Sequence, residues 1–168
     1  MPRRTCSWSE VTAIERLLAF AAAAAESVPP ALAGPIVAIG WGTVELDRAA
    51  EELGRALGID AARFVPAPDC EVLGARCRLA RDGLPGGPAL VLLEPSTEGR
   101  LAATLARNDE GPAAIWVTPL DPTAATGDAT SSTSAGQPGP LGSERLVLSG
   151  PAPRPHRLLV LAPGTIGT

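Results

Sequence analysis

A single histidine, three cysteines and no lysine narrow what this chain can catalyse. All 14 basic residues are arginines, so a Schiff-base or general-base lysine is excluded. One histidine, His156, rules out a multi-histidine metal site within one chain. It lies between Pro155 and Arg157 and reads as an exposed turn residue. Cys6, Cys70 and Cys77 are odd in number and lack CxxC spacing, which points to free thiols in a reducing compartment rather than zinc or disulfide-exchange chemistry. Arg76 and Arg78 flank Cys77, but on an extended strand they face the opposite side and cannot activate it. Ser131, Ser132 and Ser134 have no local base. Gly83, Gly86 and Gly87 open no helix, so they make no phosphate cradle. Glu94 remains, a carboxylate ending the apolar run 89–94. Burial there would raise its pKa and suit a proton carrier, whereas a solvated or arginine-paired carboxylate would be chemically inert.

The balance of charge excludes other classes. The chain has 168 residues and a net charge of −4, which argues against binding nucleic acid by phosphate neutralisation. Aromatic residues make up 3% with no tyrosine, too few for base-stacking platforms. Hydrophobic residues at 45% exclude wholesale disorder. No apolar stretch reaches the roughly 20 residues that span a bilayer, so no membrane partner is expected. Arg3 and Arg4 before the apolar run 17–25 imitate a signal peptide, but Glu10, Glu15 and Arg16 interrupt it. A cytoplasmic location follows as the expectation.

The elements that would position these residues can be read from periodicity. Residues 7–28 predict a helix: Ser7 and Glu10 fit a capping box, Val11, Ile14, Leu18 and Ala21 repeat at helical spacing, and Pro29 and Pro30 stop it. A strand is predicted over 36–44, then a helix over 46–57 ended by Gly58. Strands follow over 63–67, 72–80 and 89–94, a helix over 97–107 and a strand over 113–118. The segment 121–143, rich in Thr, Ser, Gly, Ala and Pro, predicts a mobile, dispensable stretch. Strands over 145–148 and 157–161 end the pattern.

The two halves repeat. GPIVAIGWGTVELD at 34–47 resembles GPAAIWVTPLD at 111–121, and ALVLLEP at 89–95 resembles RLLVLAP at 157–163. The order is the same in each half, but the second has the mobile stretch where the first has a helix. This divides the chain into an N-terminal helix (1–34), a first βαβββ module (35–110) and a degenerate second module (111–168).

The stretch ALVLLEPSTEGRLAATLARNDEGPAAIWV, 89–117, resembles the middle of methylmalonyl-CoA epimerase, and IVAIGWGTVELDRAAEELGRALG, 36–58, resembles that family's first strand and helix. Both point to the vicinal-oxygen-chelate superfamily of glyoxalase I, extradiol dioxygenases and bleomycin-resistance proteins, over about half the chain. The resemblance implies an α+β fold, with paired βαβββ modules forming a curved mixed sheet around a cavity, plus the extra N-terminal helix. It also implies four metal-ligand positions on the concave face, which fall on Ala38, Glu94, Ala114 and Ala162. Only Glu94 keeps a ligating side chain, and one carboxylate cannot hold a divalent ion, so neither metal nor other cofactor is expected.

These expectations favour a metal-free, sequestering-type protein that binds a small molecule in a cavity lined by Ala38, Gly40, Leu92, Glu94, Ala114, Trp116 and Ala162. Trp116 shares the parity of Ala114 and becomes the expected ligand contact beside Glu94. Trp41 has the opposite parity and is expected under a helix. A metal-independent isomerase or lyase using Glu94 as its catalytic proton carrier is the alternative. A structural or protein-interaction module with a collapsed cavity is the third. A homodimer is expected, because a second module without its helix would leave apolar sheet exposed.

Overall fold

The apolar periodicities become three helices and eight strands among the residues described by the structure, a computed structural model: 10–121, 123, 136–148 and 155–163. The helices are α1 (Glu10–Ala25), α2 (Leu46–Leu57) and α3 (Arg100–Asn108). The first module supplies β1 (Ile36–Gly42), β2 (Val65–Cys70), β3 (Ala75–Ala80) and β4 (Ala89–Pro95). The second supplies β5 (Gly111–Val117), β6 (Gln137–Gly139), β7 (Gly142–Leu146) and β8 (His156–Pro163).

All eight strands form one sheet in the order β2-β3-β4-β1-β5-β8-β7-β6. In each module the first strand runs parallel to the last, and antiparallel strands complete the set. The modules join through the antiparallel pair β1–β5. The sheet curls until its two edges nearly meet, where the Glu71 amide donates to the Pro138 carbonyl at 3.2 Å. The expected α+β architecture of paired modules is therefore the observed one. Pro66 and Pro68 fit β2 because an edge strand tolerates missing donors.

The period-two alternation of the strands builds two apolar layers. Ile39, Leu90, Leu92, Ile115, Val117 and Leu159 face outward beneath α1 and α2. Ala38, Val91, Leu93, Ala114, Trp116 and Leu158 face inward with Cys70 and Cys77. Amphipathic α2 buries Ala49, Ala50, Leu53, Gly54 and Leu57, and ends at Gly58 in the left-handed conformation. A Cβ at Gly54 would stand 2.6 Å from the Ile59 carbonyl oxygen, so the chain can fold back over that glycine only. Short α3 turns Leu101 and Leu105 toward the inner layer.

α1 buries Ala13, Leu17, Ala21 and Ala24 along one stripe, and these small side chains let it lie close against β1, β5 and β8. It thus lies over the outer face of β5 and β8 in the second module.

Several boundaries shift. Ser7, the expected helix cap, lies outside the described residues. The strand expected over 36–44 ends at Gly42, because Thr43 turns the chain: its buried hydroxyl donates to Glu110 Oε1 at 2.9 Å and accepts from the Glu45 amide at 3.1 Å. β6 and the start of β7 fall at the end of the segment 121–143. Backbone pairing orders that hairpin rather than apolar side chains. The rest of that segment, apart from 121 and 123, lies outside the described residues.

Candidate functional site

Glu94 was expected in the cavity, and its strand places it on the other face. Along β4, Val91 and Leu93 point inward, so Leu92 and Glu94 point outward. Leu92 packs under the helices and is not a cavity residue, and neither is Leu90. The Glu94 carboxylate accepts the Leu46 amide at 3.0 Å and pairs with Arg76 across the β3–β4 ladder. Glu45, the N-cap of α2, makes no side-chain cap. Glu94 supplies that cap from a distant strand, and places negative charge at the helix's positive end. A carboxylate so engaged is not a free proton carrier.

The inner face holds Ala38, Gly40, Ala114 and Trp116 as expected, but they are packed together. Trp116 is 0% exposed, and Ala38 and Ala114 are equally buried. A Cβ at Gly40 would stand 2.8 Å from both Leu93 Cδ1 and Trp116 Cζ3. The glycine leaves room for the indole, not for a ligand. Among the described residues, Gly40, Leu93, Ala114 and Trp116 pack against one another on the inner face. Ala162 is placed by its backbone alone, paired with Ser143.

One buried acid escaped the sequence reading. Glu144 on β7 is 0% exposed inside the sheet. It accepts the Leu141 amide at 3.1 Å and the Cys70 thiol at 3.6 Å. Burial raises its pKa above the ordinary value; the facing Trp116 indole, the Leu141 amide and the Cys70 thiol lower it without cancelling the rise. The indole nitrogen itself reaches no partner in good hydrogen-bond geometry. A Cβ at Gly139 would collide with the Glu144 carboxylate, which explains that glycine. Burial also pushes the Cys77 thiol up to about 12 and Cys70 higher still, so neither is a thiolate nucleophile.

His156 is likewise buried, not exposed. It begins β8 beside Ala114, with Nε2 2.8 Å from Thr104 Oγ1. The Thr104 hydroxyl donates to the Arg100 carbonyl at 2.9 Å, so Nε2 carries the proton toward Thr104. The histidine joins α3 to the sheet.

Outside the sheet, a cleft of about 600 Å3 lies between α1 and α2. Trp41 and Pro112, from the joined strands β1 and β5, form part of its lining. Ala13 and Leu17 wall it from α1, and Ala49, Leu53 and Ala56 from α2. Trp41 is half-buried, on the helix-facing side that its parity predicted. Arg16, Arg48, Glu52 and Glu110 supply the polar groups. Arg48 bridges Glu110 at 2.6 Å, Glu52 at 3.1 Å and Glu45 at 3.6 Å. Glu110 also accepts the Val44 amide at 2.7 Å. Burial alone would raise its pKa, but the bonds from Arg48, Val44 and Thr43 hold it below the ordinary carboxylate value. An apolar pocket with a few convergent polar groups has the make-up of a small-molecule site. Its sequence signal was the recurrence of alanine beside arginine on two helices, which looks like ordinary helix composition.

Two modules joined through their first strands make a fold that solved methylmalonyl-CoA epimerases share. Methylmalonyl-CoA epimerase of Mycobacterium tuberculosis is 19% identical with a TM-score of 0.56, covering 82% of this chain and 93% of its own. The Streptomyces coelicolor epimerase in complex with 2-nitronate-propionyl-CoA is 21% identical with a TM-score of 0.53, covering 75% and 95%. A hypothetical protein of Bacillus halodurans is 15% identical with a TM-score of 0.53, covering 74% and 91%. No family model and no curated protein matches the chain.

The metal position implied by the superfamily does not fit this chain. Ala38 and Ala114 offer no donor, Glu94 stands on the opposite face, and the indole of Trp116 takes up inner space. Among the described residues, no group of three His, Cys, Asp or Glu side chains could hold an ion, and no helix is long and apolar enough to cross a membrane.

Proposed function

We propose that this chain is a metal-free, non-catalytic protein that binds a small molecule in the cleft between α1 and α2. The observation that carries the reading is an exchange of space. The inner face, where the superfamily resemblance placed a ligand, is packed around Trp116, while an apolar cleft lies open over Trp41. The Streptomyces coelicolor neighbour holds 2-nitronate-propionyl-CoA, and another epimerase neighbour holds methylmalonyl-CoA, which supports the coarser idea that the fold accommodates small molecules. The isomerase or lyase alternative loses its proton carrier, because Glu94 is bound to Arg76 and to α2. Buried, free Cys70 and Cys77 support the cytoplasmic placement.

The packed inner face also suits an interaction module, and the cleft separates the two readings. A thermal-shift screen of metabolite-sized compounds against the wild type and Ala56→Phe tests this. Ala56 is half-buried on the cleft wall, so phenylalanine there fills the cleft from a tolerant position. Compounds that stabilise the wild type and not the variant support the binding protein. A screen in which every stabilising compound acts equally on both removes the cleft from consideration.

A further inference from the structure

We infer that the cleft selects an uncharged, flat apolar molecule and excludes anions, a conclusion that rests on the binding function proposed above. Three features lead there. Half-buried Trp41 lines the cleft with the alanines Ala13, Ala49 and Ala56. Small side chains leave the aromatic surface accessible, and a flat ring system stacks on indole with more contact than a branched chain makes.

The charges of the lining are also already matched. Arg16, Arg48, Glu52 and Glu110 are the charged residues that line the cleft. Arg48 is held by three carboxylates at once, and Arg16 is also engaged. Glu110 is committed to Arg48, the Val44 amide and the Thr43 hydroxyl. An ionic ligand would therefore compete with pairs already in place, among them the half-buried Arg48–Glu110 pair. Taking a hydrogen-bonded charge from its partner carries a cost that offsets the new contact. An anion would have to draw Arg48 from three carboxylates, or Arg16 from the interaction that already engages it. The volume of about 600 Å3 admits a molecule of two to four fused or linked rings.

Two dyes that share a skeleton test the inference. N-Phenyl-1-naphthylamine is neutral, and 8-anilino-1-naphthalenesulfonate adds one sulfonate to the same rings. Fluorescence titration of the full chain should show the neutral dye binding at least about tenfold more tightly than the sulfonate. Ala56→Phe and Trp41→Leu should each weaken the neutral dye by about tenfold or more, with unfolding transitions recorded to show that both variants fold. Equal or tighter binding of the sulfonate, or tighter binding of the planar cation proflavine, with loss of that binding in Ala56→Phe, overturns the selectivity and leaves the cleft as the site. Dye binding that neither variant changes overturns the cleft itself and the proposed function with it. Binding of neither dye to the wild type overturns the inference.

Discussion

Gly40 and Trp116 share one space on the inner face of the central strand pair: a Cβ on the glycine would stand 2.8 Å from the six-membered ring of the indole. Trp116→Ala should therefore cost about 3–5 kcal/mol, the range for deleting a buried aromatic. Gly40→Ala should cost about 1–3 kcal/mol by overpacking. Together they should cost less than the two added, because the cavity left by one admits the methyl of the other. Urea unfolding of the two single variants and the double variant measures this. Additive costs would mean that the two positions do not compete for room.

Glu94→Ala should destabilise by about 1 kcal/mol, the usual loss for a helix cap. Glu94→Gln should cost less, since its amide oxygen still accepts the Leu46 amide. Arg76 is 60% exposed, so the ion pair itself contributes little. Neither variant should alter binding of a cleft ligand. A binding defect in Glu94→Gln with unchanged stability would return this residue to a functional role.

Glu144 and Glu110 should respond to pH in opposite directions. The folded pKa of Glu144 is raised, chiefly by burial, so its contribution to stability is full below the unfolded carboxyl value and is lost as pH rises through the folded one. Glu144→Gln should then gain stability relative to the wild type as pH is raised from 4 to 8. The folded pKa of Glu110 is lowered, so its contribution is present above the unfolded value and lost as pH falls through the folded one. Glu110→Gln should lose most at neutral pH and least in acid. Unfolding midpoints across that range would expose either sign as wrong.

Light scattering should report the expected homodimer, whereas a monomer of 17.1 kDa across micromolar concentrations would favour cover of the sheet by α1 within the chain.

Much of the fold was legible because strand parity and the internal repeat survive in apolar residues. The bounds of α2 and the placement of Trp41 beneath the helices follow from spacing alone. The site was less legible. Parity was applied from Ala38 and Ala114 to Trp116 within matched strands, where it held, but Glu94 was placed by analogy with a metal ligand. Its own alternation with Leu93 would have put it outside. His156 was taken as exposed from its proline and arginine neighbours, which say nothing of α3 lying across it. Glu144 lay beside a segment of low apolar content, where no local pattern signals a carboxylate turned inward. The cleft depends on how far apart two helices sit, a tertiary distance with no trace in either helix's own sequence.

The placement of α1 has a consequence for the order of folding. α2 and the strand that it packs on, β4, lie within one continuous module and can form once that stretch has been synthesised. α1 precedes β1 in sequence, yet the strands beneath it include β5 and β8, the last strand among the described residues. Its alanine-rich stripe has no complete surface to settle on until β8 is in place. Closing a loop that long carries an entropic cost that delays docking. α1 thus waits for β8 before it is fully seated, and until then the apolar outer face of β5 stands open to misassociation.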